Sequence, residues 1–240
     1  MTVHCADVYH PGRNLHVDAD QRGPPPGAIA YNSLWGARID ACPTRTGGNL
    51  KGIRIIHDEH RSLAAVLHGM LYLVNGIRNR GMKPDFKVLG AMVYYIDAFP
   101  ERYHHPKEDR YLFTLLRARC PSAHAVLDKL EQEHRAGAEK IRILQQALAR
   151  YEHGGDAEFS NFAAAVEGYA AFHWDHMRCE EKEVLPLAEK YLTPEDWELI
   201  DAAFTGHTDP LIGTEIAAEF DGLFKKIVAI APAPIGLGRA

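Results

Sequence analysis

From Leu50 onward, apolar residues recur with a helical period through most of the chain, and strand-like alternation is scarce. A first segment, about 51–79, sets Ile53, Ile56, Leu63, Leu67, Leu71 and Val74 along one stripe. A second begins near Asp85, placed to cap it after Pro84, and runs to about Ala118 through prolines at 100 and 106. A third follows "CPS", with Ser122 as its predicted cap, and reaches about Glu152, where "HGG" stops it. The fourth covers about Asp156 to Tyr191, with Pro186 late in it. "TPED" at 193–196 opens a short fifth helix, with Thr193 capping and Pro194 at the first helical position. A final amphipathic helix is predicted over about 214–230.

Long helices with short connections predict an all-α fold. The expected architecture is an antiparallel four-helix bundle over 50–192, followed by extra C-terminal helices and a tail over 193–240. Residues 1–49 contain "RGPPPGA" and "CPTRTGG" without a sustained period, and read as a loosely structured N-terminal leader.

Composition removes several function classes. The chain has 240 residues and 46% hydrophobic content, enough for a substantial core. A formal charge of -5 without a basic cluster argues against a nucleic-acid partner. No run of eighteen apolar residues would span a bilayer. The first residues lack the charged and apolar regions of a secretory signal, and Cys5, Cys42, Cys120 and Cys179 form no CxxC pair. The expected setting is a reducing cytoplasm. Nothing in the pattern indicates a protein partner or homo-oligomer. The fourteen histidines are the unusual feature.

An internal repeat sorts those histidines. "DEHRSLAAVL" in the first helix resembles "QEHRAGAEKI" in the third, and "HHPKEDRYLFTL" in the second resembles "HMRCEEKEVLPL" in the fourth. The latter two read His, three residues, Glu, then an acidic residue. His60 to His104 is 44 residues, and His134 to His176 is 42. The chain therefore reads as two helical hairpins, each offering one His and then a His-x-x-x-Glu pair. Packed together, they would gather His60, His104, Glu108, His134, His176 and Glu180 in one core.

Residues four apart share a helical face, so His104 with Glu108, and His176 with Glu180, can hold one centre. Two inward glutamates are costly unless cations neutralise them. Imidazole and carboxylate donors without thiolate suit iron or manganese, and zinc is compatible. Six protein ligands exceed the needs of one tetrahedral zinc, and fit two metals bridged by the glutamates.

His57 and His173 each stand one turn before a proposed ligand, as hydrogen-bond donors to the site or as packing. His105 abuts the site and is the candidate additional ligand. His68 reads as a core or edge histidine. Cys179, beside Glu180, is either a redox-sensitive thiol or a buried inert one. Tyr94, Tyr95, Phe99, Tyr103 and Trp174 either wall a small-ligand pocket or belong to the core. In a continuous helix Pro106 removes the bond to the Arg102 carbonyl, which predicts a kink or break where the ligands enter the core.

On "DEHR", "HHPKED", "QEH" and "HMRCEEKEVLP", the chain resembles the hemerythrin-like, HHE cation-binding family over roughly residues 50–192. The resemblance implies a four-helix bundle holding two iron ions, with manganese or zinc behind iron. It assigns the six residues above as ligands and Glu108 and Glu180 as bridges. The chain departs from oxygen-carrying hemerythrins at Ala138, where those have a second histidine. It departs again at Glu180 and Glu181, where those place an aspartate five residues after the histidine. The pattern is nearer to members implicated in iron or oxygen sensing and nitric oxide responses. The implied function is a metal-binding or sensing protein for O2, peroxide or nitric oxide, or for iron handling. The alternatives are a di-iron enzyme with peroxidase-, ferroxidase- or NO-reducing activity, and a metal-responsive protein-interaction module.

Overall fold

The structure, a computed structural model, describes residues 51–206 and Asp209. The leader expected over 1–49 and the helix expected over 214–230 lie outside the described residues. The described part is all-helical. No helix in it is long and apolar enough to cross a membrane.

α1 (Lys51–Arg80) ends at Gly81, whose φ of 64° turns the chain so that the Met82 N–H reaches the Gly76 carbonyl at 3.1 Å. α2 (Phe86–Ala98) starts on Asp85, whose carboxylate accepts from the Val88 N–H at 3.1 Å. The chain then passes through a π-helical turn at Pro100–His104, α3 (His105–Lys107), a second π-helical stretch at Glu108–Phe113 and α4 (Thr114–Arg119). α5 (His124–Gly154) stops at Gly155, where φ is 66°. α6 (Phe159–Cys179) continues through a third π-helical stretch, Glu180–Val184, into α7 (Leu185–Tyr191). α8 (Pro194–Thr205) opens on a capping box between Thr193 and Asp196, with Pro194 in its first turn.

Two boundaries differ from expectation. Ser122 does not cap α5; it sits inside a 3-10 turn at Pro121–Ala123, and its hydroxyl meets Cys120 Sγ at 3.1 Å. The fourth helix begins at Phe159 rather than near Asp156, because Gly155–Glu158 winds as a 3-10 turn.

The expected break at Pro106 is instead a widening. Proline lacks an N–H and crowds the carbonyl four residues back. For Pro106 that carbonyl belongs to Arg102, and for Pro186 to Lys182; each lies inside a π-helical turn. The wider winding relieves the crowding and supplies partners one residue further back. The His105 N–H bonds the Pro100 carbonyl, and the Leu185 N–H bonds that of Glu180. Each proline stands two residues beyond its π-turn, so the chain stays helical where the site residues enter.

The apolar core forms two clusters with a polar layer between them. One includes Leu63, Leu67, Leu89, Met92, Ile96, Leu144, Tyr151, Phe162 and Val166. The other includes Ile53, Ile56, Leu112, Leu116, Leu127, Leu130, Val184, Ile200 and Phe204. Each long helical segment passes through both, in alternating order along the chain. The crossing points fall at His60, His104 to Glu108, His134 and His176 to Glu180, all buried.

Candidate metal centre

The polar layer brings together all six residues selected by the repeat. His60 Nε2 and His104 Nε2 stand 3.1 Å apart, and His134 Nε2 and His176 Nε2 stand 3.0 Å apart. Between the two pairs lie Glu108 and Glu180, each dividing its oxygens between the pairs. Glu108 sends Oε1 to 3.3 Å from His104 Nε2 and Oε2 to 3.6 Å from His134 Nε2. Glu180 sends Oε2 to 3.3 Å from His60 Nε2 and Oε1 to 3.3 Å from His176 Nε2. Two overlapping donor groups result: His60, His104, Glu108, Glu180, and His134, His176, Glu108, Glu180.

Each of the four imidazoles is held from behind by a carboxylate at Nδ1. Glu59 takes His104 at 2.6 Å, Glu133 takes His176 at 3.0 Å, Asp109 takes His134 at 2.7 Å and Glu181 takes His60 at 2.9 Å. A carboxylate only accepts, so every Nδ1 carries the proton and every Nε2 faces inward. Glu59 and Glu133 precede a site histidine in sequence, whereas Asp109 and Glu181 follow a site glutamate. The first two hold the histidine of their own hairpin; the last two reach across to the other hairpin. Sequence reasoning had not assigned these four roles, although the signal was present as an acidic neighbour in all four repeated motifs.

The donor set was then compared with known proteins. The family model described as the hemerythrin HHE cation-binding domain matches residues 51–188. The chain belongs to that family. No curated protein and no solved structure matches it.

The interior of this hemerythrin-type layer is built for cations. Both oxygens of Glu108 and both of Glu180 are buried without a hydrogen-bond partner, a cost of several kcal/mol for an uncompensated ion. Metal–nitrogen bonds of about 2.1 Å at a right angle would separate two imidazole nitrogens by about 3.0 Å, close to both observed spacings. The electrostatics agree. Burial pulls His60 down, but Glu180 and Glu181 outweigh it and lift it to about 9. Burial likewise opposes His176, which Glu180 and Glu133 lift to about 10. Burial pushes Glu180 up, but His176, His134 and His60 hold it well below the usual carboxylate range. Burial and the neighbouring Glu180 push Glu108 well above that range. Positive charge is favoured at the inward nitrogens, as protons or as metal ions.

The remaining candidates separate clearly. His57 is half-exposed and its Nδ1 stands 3.3 Å from Glu181 Oε1, behind His60. His173 is buried with neither ring nitrogen hydrogen-bonded, so it packs rather than donates. It lies against Tyr169 and stacks at 5.7 Å from His105. His105 is buried against His134, rings 4.5 Å apart and 14° from parallel, and burial pulls it down to about 4. His68 packs beside Trp174. Cys179 is buried, with Sγ 3.8 Å from Glu183 Oε1, and burial pushes its thiol up. The aromatic run does not wall a pocket: Tyr95 and Phe99 are core residues, while Tyr94 and Tyr103 turn outward at 52% and 42% exposure.

Proposed function

We propose that this chain is a non-haem di-iron protein that binds or senses O2, peroxide or nitric oxide inside an antiparallel four-helix bundle spanning residues 50–192. One observation carries the reading: each of two glutamates divides its oxygens between two histidine pairs. His60 and His104 would hold one iron, His134 and His176 the other, with Glu108 and Glu180 bridging them. Ferrous ions so held supply electrons and a coordination position for a small ligand.

The chain's own residues set the conditions for that chemistry. The four outer carboxylates fix tautomer and ring direction, and the apolar clusters above and below exclude bulk water. Burial of every inward donor supports a ligand of two or three atoms rather than an organic substrate.

Binding and turnover are separated by anaerobic loading with ferrous iron followed by addition of nitric oxide or oxygen. A stoichiometric optical adduct without ligand consumption beyond one equivalent is expected. Catalytic consumption of nitric oxide or peroxide would replace the binding reading with an enzymatic one.

A further inference from the structure

We propose that His105 is a fifth imidazole donor, acting on the His134 and His176 side only, so that the two metal positions are chemically unequal. This rests on the two-metal reading above and adds a ligand that the repeat does not supply.

Three observations carry it. First, His105 forms a donor group with His134 and His176, one ligand atom from each lying within 4.8 Å of the others. That group shares two residues with the one containing Glu108 and Glu180. Second, His105 has a carboxylate behind it, as the four repeat histidines do. Its Nδ1 stands 3.5 Å from Glu101 Oε2, leaving Nε2 as the donor nitrogen.

Third, the structure makes room for Glu101. A Cβ on Gly137 would stand 2.8 Å from Glu101 Oε2, and the Tyr169 hydroxyl donates to Glu101 Oε1 at 2.9 Å. The repeat breaks at these positions. Met177 stands in the fourth-helix motif where His105 stands in the second, and Leu63 follows His60 at the spacing Gly137 keeps from His134. Met177 and Leu63 are buried apolar residues. The His60 and His104 side therefore has no matching imidazole at the Met177 position, and its metal is the one left with room for an outside ligand.

The test is Mössbauer spectroscopy of the full chain loaded anaerobically with ferrous 57Fe, with iron content measured in parallel. Two quadrupole doublets of equal area are expected for the parent protein. His105→Asn keeps a hydrogen-bonding group toward Glu101 but loses Nε2, and His105→Phe keeps the ring stack but loses both nitrogens. Each variant is expected to shift or remove one doublet and leave the other in place. Unchanged doublets and iron content in either folded variant would overturn the proposal, as would a single doublet in the parent. A parent chain that takes up fewer than two irons would instead overturn the two-metal reading itself.

Discussion

His60 Nδ1 and Glu181 Oε1 meet at 2.9 Å across the interface between α1 and the π-helical turn that follows α6. The contact joins the first hairpin to the second, and Asp109 with His134 repeats it in the opposite direction at 2.7 Å. Metal binding and hairpin docking are thus the same event at these two contacts.

Glu181→Gln is expected to weaken metal binding by about 10- to 100-fold, because it frees the His60 ring to rotate and lowers its basicity. Asp109→Asn should do the same from the other side. Chelator competition against each variant checks this. Affinity equal to the parent in both would mean that the carboxylates only decorate the site.

Glu108→Gln should remove bridging while relieving a buried acid. The metal-free variant is expected to melt higher than the metal-free parent, with a gain of about 1–3 kcal/mol, and to lose the stabilisation that iron confers. Paired melting curves with and without ferrous iron give both quantities.

Loading should depend on pH. His60 and His176 are raised to about 9 and about 10, so metals must displace protons near neutrality. Affinity should therefore rise with pH through about 7–9, with proton release seen by calorimetry in buffers of different ionisation enthalpy. The sign for the metal-free fold is the reverse. Raised histidines stabilise it fully below their ordinary value near 6.5, and that contribution is lost as pH climbs through 9 to 10. Loaded protein should not show the alkaline loss.

Asp196 offers a control far from the metals. It completes the capping box with Thr193 and takes the Arg119 guanidinium at 3.0 Å. Burial pushes its carboxyl up, but Arg119 and the Thr193 N–H outweigh it and hold it below the usual range. Its stabilisation is present above the ordinary aspartate value and lost as pH falls through the lowered one. Asp196→Ala should cost about 1 kcal/mol in urea unfolding and leave iron content unchanged.

Much of this was legible in the chain. Helical periodicity located the long segments, and the caps at Asp85 and Thr193 announced themselves by residue type and position. The repeat picked out the six residues that the fold gathers, because duplication forces equivalent positions onto one layer. The π-helical turns were not legible. Prolines at 106 and 186 signal trouble for a helix, but whether it breaks or widens depends on packing on either side. The outer carboxylates were half visible: an acidic neighbour recurs in each motif, yet which histidine it holds is set by how the hairpins dock. Glu101 and Gly137 were hidden because their pairing joins residues 36 apart with no repeated counterpart.

The most direct measurement is anaerobic titration of the metal-free full chain with ferrous iron, followed to its stoichiometric end point. Two irons per chain are expected, falling to one or none in His60→Ala and Glu180→Ala. An end point of two that neither substitution changes, or no uptake by the parent chain, would contradict the di-iron centre.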